Sequence, residues 1–416
     1  MALVKKPVTG MKEIMPREME IRDYLQGIIK DTYRSYGFNA IETPCLEDIN
    51  NLCSKQGGEN EKLIFKVLKR GEKLNLETAK SDADLVDMGL RYDLTVPLVR
   101  FYSNNQANLP QPFKALQIGN VWRADRPQRG RYRQFTQCDI DILGEATNSA
   151  EIELILATTE TLGKLGFKGF EIRISERRLL RAMSNYAGFP EDKFDVVCII
   201  LDKLDKIGVD GVKEELAKEG FSDESIAKYL KLFEENDNTL KTLNRMKELL
   251  GDFLEDEVVK SLTEIIESVE KVKKADFKMV FDPTLVRGMG YYTGTIFEIS
   301  MPELGASCGG GGRYDKMVGN FTGQNVPACG FSIGFERIVL ILMESGFVIP
   351  GSREKVAFLV EKSIPADKYA DILSEASKER EAGKQVLVLR MNKNKKFQKD
   401  QLNADGYANI KEFYND

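Results

Sequence analysis

The chain has 416 residues, 42% hydrophobic and 30% charged, with a formal net charge of −5 and no histidine. That length exceeds one ordinary hydrophobic core and predicts two or three domains, while the mild acidity leaves any RNA contact to local basic patches. The missing histidines exclude Ser-His-Asp and Cys-His catalysis, His-ligated zinc and imidazole base chemistry.

Residues 18–36 place Ile21, Leu25, Ile28, Ile29 and Tyr33 at helical spacing, with Gly37 as the stop. Residues 38–44 read as a short strand ending at Pro44. Segments 113–123 and 133–143 read as extended strands around a polar, Arg-rich loop with Pro127 and Gly130, the pattern of a long hairpin. From about 180 to 272 the texture changes to Lys, Glu, Leu and Ile, with Pro190 as its one proline. Apolar residues recur there at helical spacing: Ile226, Tyr229 and Leu230, then Leu243, Met246 and Leu250, then Val258, Leu262, Ile265 and Val269. This predicts a helical domain inserted into a mixed one. Strands resume at 278–282 and 291–300, and a glycine run follows at 309–312. A small-residue strand at 328–333 leads directly into a helix at 335–345. Gly346, Pro350 and Gly351 then mark a linker to a small α/β module of strand 356–360, helix 365–382 and strand 385–389.

Other chemistry is narrowed by what is missing. No run approaches the roughly 18 apolar residues of a membrane span, so no membrane association is expected. Residues 1–10 carry Lys5 and Lys6 without an apolar stretch after them, so they do not read as a signal peptide. The six cysteines are scattered and never form C-x-x-C, which predicts reduced thiols and a cytoplasmic protein. A P-loop sequence is absent, and Gly288-Met289-Gly290 lacks the third glycine of a dinucleotide fingerprint.

The densest charge feature is the loop from Arg123 through Asp125, Arg126, Arg129 and Arg131 to Arg133. It reads either as a solvated basic turn or as a polyanion site, since guanidinium forks match phosphate oxygens two at a time. On the strand that follows, alternation puts Gln137, Asp139 and Asp141 on one face and Thr136, Cys138, Ile140 and Ile142 on the other. The polar face is either a binding floor or the solvent side of an amphipathic strand. Asp93 stands in a short run before Pro97 and by itself is a turn aspartate. Arg337 enters an otherwise apolar helix and requires a carboxylate or an anion; Glu336 beside it faces elsewhere. The glycines at 309–312 allow either close backbone approach to a ligand or a tight turn.

These segments resemble the class II aminoacyl-tRNA synthetases. Gly37-Phe38-Asn39-Ala40-Ile41-Glu42-Thr43-Pro44 is similar to motif 1 of that class, segment 113–144 to motif 2, and segment 328–337 to motif 3. Two further stretches resemble signatures of the histidyl-tRNA synthetases: Leu285-Val286-Arg287-Gly288-Met289-Gly290-Tyr291-Tyr292-Thr293-Gly294 and Gly310-Gly311-Gly312-Arg313-Tyr314-Asp315. The resemblance implies an α+β fold: an antiparallel class II catalytic core at 1–178 and 273–345, a helical insertion at 179–272, and a short anticodon-binding-like α/β domain at 353–416. It implies histidine–tRNA ligase activity with ATP as substrate and Mg²⁺ assisting, in a homodimer acting on tRNA(His). Arg123, Arg287 and Arg337 would be catalytic and, with Arg131, would hold ATP. Asp93, Thr95, Gln137, Asp141, Tyr291, Tyr292 and Gly310 would hold histidine. Gly290 stands where the family more often has Asp, a position that would support Arg287. The module ends at Asp416, short of the extra strand and helix expected, and its Lys393, Lys395, Lys396 and Lys399 read as a basic loop or an RNA contact. Two other readings stay open, a synthetase-like regulatory subunit of ATP phosphoribosyltransferase and a class II synthetase for another amino acid. The retained arginines and tail module argue against the first, and segment 287–294 against the second.

Overall fold

Apolar side chains four residues apart make the first helix, Pro16–Ser35, one-sided: Ile21, Leu25, Ile29 and Tyr33 are buried along a single stripe. In this computed structural model, residues 3–53, 61–234, 236–287, 292–303 and 306–415 are described. The chain divides into two compact units, Met1–Ile14 with Arg22–Ser345, and Met15–Ile21 with Gly346–Asp416.

The larger unit is built on a sheet whose strands are β1 Asn39–Ala40, β5 Phe113–Trp122, β6 Gln134–Leu143, β7 Phe170–Glu176, β8 Phe277–Phe281, β9 Thr295–Met301, β10 Ala306–Arg313 and β11 Ala328–Ile333. Their spatial order is β1-β5-β6-β11-β10-β9-β7-β8. Pairing is antiparallel from β5 through to β7, and parallel only at the two edges, β1 with β5 and β7 with β8. This is the α+β antiparallel core that the sequence implies. The strands β2 Leu46–Asp48, β3 Lys66–Leu68 and β4 Val86–Leu90 form a separate small antiparallel sheet.

Between β7 and β8 the chain is helical: Arg177–Ala187, Phe194–Leu201, Leu204–Lys218, Asp223–Leu230, Leu240–Leu250 and Asp256–Val272. The periodic residues do bury, among them Ile226, Tyr229, Leu243, Met246, Leu262, Ile265 and Val269. These helices fall in the same compact unit as the large sheet.

Several boundaries differ from the sequence reading. Within the segment 38–44 only Asn39 and Ala40 form strand, paired with Ala115 and Leu116, because the chain leaves the sheet edge on its way to Pro44. The strand expected at 291–300 starts at Thr295; Tyr292 and Thr293 lie before it, and Tyr291 is outside the described residues. The glycine run is neither a turn nor a loop but the middle of β10, facing Phe331 and Gly330 of β11. In the smaller unit, β12 Lys355–Val360 lies between β13 Gln385–Arg390 and β14 Asn409–Phe413, all parallel. The stretch read as a basic loop contains the helix Lys395–Ala404, and Lys399 pairs with Glu412 of β14. The module therefore has a third strand and a second helix before its end.

Candidate active site

Two strands with opposite duties set the floor of a cavity of about 410 Å³ in the larger unit. Along β6, Cys138, Ile140 and Ile142 point into the core, while Gln137, Asp139 and Asp141 line the cavity. Asp139 and Asp141 are only 4% and 3% exposed, so this polar face is a covered floor and not the solvent side of an amphipathic strand. Beside β6 lies β11, which pairs Gly330 with Asp141 and Ser332 with Asp139. A Cβ at position 330 would lie 2.0 Å from Asp141 Oδ1, so only glycine leaves this carboxylate its place.

Every described residue of the expected site lines this one cavity: Arg123, Arg131, Arg287, Arg337, Asp93, Thr95, Gln137, Asp141, Tyr292 and Gly310. Tyr291 and Gly290 lie outside the described residues. Arg123 follows β5, its Nε donates to Tyr92 O at 2.8 Å, and its guanidinium sits 5.1 Å from the Phe135 ring centroid. Arg131 is held by the tip of the hairpin, where Gln128 and Arg131 exchange backbone hydrogen bonds of 3.1 and 2.9 Å. Arg287 donates through Nη1 to Gly309 O at 3.0 Å and through Nη2 to Ser307 Oγ at 3.2 Å, with Glu298 3.4 Å from Nε. Gly310 makes room for it, since a Cβ there would stand 1.7 Å from Nη1. Arg337 lies in the first turn of the helix Phe335–Glu344. Glu336 beside it turns to Arg22 and accepts the Thr136 N–H at 3.0 Å. Among the described residues, no carboxylate comes within ion-pair distance of Arg123, Arg131 or Arg337.

The acids tell the complementary story. Asp93 precedes the helix Thr95–Asn105 and accepts the Val96 N–H at 3.1 Å, yet burial pushes its carboxyl above the usual range against that bond and Arg123. Asp139 is pushed up to about 7, chiefly by burial; Ser332 opposes the rise and Asp93 adds to it. Asp141 is raised by burial and by Asp139, although Tyr314 Oη donates to it at 2.5 Å. A recess holding three buried carboxylates disfavours their ionised forms and favours a cationic ligand. The same cavity offers the guanidinium groups of Arg123, Arg131 and Arg337, none held in an ion pair among the described residues, which suits an anion.

Sequence reasoning placed Asp139 on the polar face but gave it no role, and it missed Tyr314, Ser332 and Phe135. Strand alternation signalled Asp139. Ser332 becomes visible only through the pairing of β6 with β11, and Tyr314 only through the hydrogen bond its hydroxyl donates to Asp141.

A profile described as histidyl-tRNA synthetase matches residues 10–338. The histidine–tRNA ligase of Leifsonia xyli subsp. xyli is 43% identical over 413 residues, covering 97% of this chain and 94% of the relative. That of Christiangramia forsetii is 37% identical over 350 residues, 81% of this chain and 76% of the relative. Among solved structures, a histidyl-tRNA synthetase from Nostoc sp. PCC 7120 superposes with a TM-score of 0.77 at 26% identity, covering 98% of this chain and 90% of that one. With the profile matched across nearly all of the larger unit, the chain belongs to the histidyl-tRNA synthetase family.

Proposed function

We propose that this chain is a histidine–tRNA ligase, activating histidine with ATP and transferring it to the 3′ end of tRNA(His). The observation that carries this reading is a single cavity lined by Arg123, Arg131, Arg287 and Arg337 above a floor of buried carboxylates. Family membership supports the substrate, because relatives 36–43% identical carry the name histidine–tRNA ligase.

The chemistry suits a protein without histidine. The carboxylate of the amino acid is already ionised, so its attack on the α-phosphorus of ATP needs no base. One oxygen–phosphorus bond forms, the bond to pyrophosphate breaks, and the negative charge spreading over the phosphoryl oxygens is what requires stabilisation. In this reading Arg123 and Arg287 face the α-phosphate, and Arg131 and Arg337 face the outer phosphates and the adenine. Asp93, Thr95 and Gln137 accept the α-ammonium group, Gly310 lets the backbone approach, and Asp141 with Tyr291 and Tyr292 reads the imidazole. A terminal tRNA hydroxyl then attacks the activated carbonyl, and AMP leaves. Among the described residues no acidic, cysteine or histidine cluster could hold a metal ion. Mg²⁺ would enter with ATP, held by phosphates, water and at most one or two carboxylates, as this ion commonly is.

The catalytic domain comprises 1–178 and 273–345, the helical insertion 179–272, and the anticodon-binding-like domain 353–416. The protein works as a cytoplasmic homodimer. ATP–pyrophosphate exchange across a panel of amino acids tests the central claim. Strict dependence on histidine is the expected result. Exchange with another amino acid would reassign the substrate, and no exchange at all would point to a regulatory subunit.

A further inference from the structure

Asp139 is a buried acid on the cavity wall that the adenylation scheme leaves unused. It lies between Gln137 and Asp141 on the cavity face of β6, directly opposite Ser332 of β11. Ser332 Oγ donates to Asp139 Oδ1 at 2.5 Å. The amide nitrogen of Gln137 lies 3.3 Å from Asp139 Oδ2 and 3.5 Å from Oδ1, and 3.5 Å from Ser332 Oγ. The other end of that amide behaves differently: Gln137 Oε1 is buried and has no hydrogen-bond donor among the described residues.

An amide has a donating end and an accepting end of nearly equal size, and packing alone does not choose between them. Once ionised, as it is above about pH 7, the Asp139 carboxylate accepts only, so it attracts the NH₂ end. An α-ammonium donates only, so it requires the carbonyl end. We propose that Asp139 is a positioning residue for amino-acid recognition: it holds the NH₂ of Gln137, so that Gln137 Oε1 faces the α-ammonium of the bound substrate. Ser332 fixes the carboxylate in turn. The inference rests on the ligase reading, and it assigns to Asp139 an effect exerted through Gln137 and not by contact with substrate.

Three variants of the full-length chain test it, with pyrophosphate exchange measured at about pH 8, above the raised Asp139 value, against histidine and, separately, against ATP. Asp139→Asn lets the facing amides pair in either orientation, and loss of a fixed charge-assisted acceptor is expected to raise KM for histidine about 10- to 100-fold. KM for ATP and kcat are expected to change by less than about threefold, since the phosphate-facing arginines stay in place. The charge-conserving swap Gln137→Glu with Asp139→Asn presents a carboxylate oxygen to the ammonium whichever way residue 137 turns, and the amide introduced at position 139 donates to that carboxylate. Its KM for histidine is expected to recover to within about fivefold of the parent, an outcome no purely structural role predicts. Ser332→Ala, which keeps both acidic and amide groups, is expected to raise the same KM by a smaller factor. If Asp139→Asn leaves KM for histidine unchanged, or if the swap is as impaired as Asp139→Asn, the positioning role is overturned. Should Asp139→Asn fail to fold, the comparison of the swap and Ser332→Ala with the parent decides the matter by the same criterion. Failure of the ligase reading looks different, because the parent chain would then show no histidine-dependent exchange at all.

Discussion

Asp139→Asn is expected to stabilise the unliganded protein, and to do so more at pH 8 than at pH 5. Asp139 is 4% exposed and its carboxyl is raised to about 7, so the folded state retains a proton that the unfolded chain releases near its ordinary value of 3.8. Between those two values the folded state binds more protons than the unfolded one, and stability falls as pH rises through the window. The groups facing Asp139 pull both ways: Asp93 raises the carboxyl, while Arg123, Arg91 and the Ser332 hydroxyl lower it. The full shift corresponds to about 4 kcal/mol of penalty once pH exceeds 7, and the linkage relation leaves only about 2 kcal/mol of it at pH 5. Asparagine cannot ionise, so it escapes a penalty that grows by about 2 kcal/mol between the two conditions. Lost or altered hydrogen bonds to Ser332 and Gln137 add an offset that is nearly constant with pH, which is why the difference between pH values is the quantity to measure. Urea unfolding of parent and variant, without histidine or ATP, reads it directly. Trp122, the only tryptophan, lies at the end of β5 and reports on the larger unit. A variant effect equal at both pH values, or larger at pH 5, would refute the assignment of a buried, strongly raised carboxyl.

Three other outcomes follow from distances in the site. Arg287→Ala is expected to lower kcat for pyrophosphate exchange about 100- to 1000-fold, as loss of a transition-state donor does, while the urea midpoint stays near the parent's; unchanged exchange kinetics would remove Arg287 from the chemistry. Gly330→Ala places a Cβ 2.0 Å from Asp141 Oδ1, so it is expected to raise KM for histidine more than KM for ATP, measured in the same assay. Glu336→Ala removes the carboxylate that pairs with Arg22 and accepts from the Thr136 N–H. About 1–3 kcal/mol of stability is expected to go with it, measured by denaturant unfolding, and Glu336→Gln is expected to restore part of that loss.

The hairpin of β5 and β6 was legible because its alternation and its Arg-Pro-Gly loop are local signals. The helices between β7 and β8 were legible for the same reason, their apolar residues repeating at a helical period. The strand β10 was not, because four glycines carry no periodic polarity. They form strand because β11 comes so close that a Cβ at 311 would lie 1.9 Å from Gly330 O. Whether the polar face of β6 was floor or surface was equally hidden, since residues that contact its carboxylates, Tyr314 and Ser332, come from far along the chain. Arg22 and Glu336 stand 314 residues apart, and no spacing rule connects them. The arginines that line the cavity were found through motif resemblance, not through physics alone; in isolation Arg131 is a residue in a basic turn.

In the proposed ligase the cavity's acids and arginines divide the work of binding an amino acid and a triphosphate without histidine. Guanidinium groups keep their charge at any physiological pH, so the phosphate side of the site needs no tuning. The carboxylates are different, because burial has raised all three of Asp93, Asp139 and Asp141 and left their charged forms unfavourable. A ligand with an ammonium group relieves that cost on entry, whereas one without it leaves the carboxylates as they were or requires them to take up protons. An ammonium group is thereby favoured over a neutral one at this end of the site, and a ligand lacking it leaves buried polar groups unpaired. Relaxing the floor with a neutral side chain at position 139 is therefore expected to strengthen the empty protein while weakening its hold on an α-ammonium group.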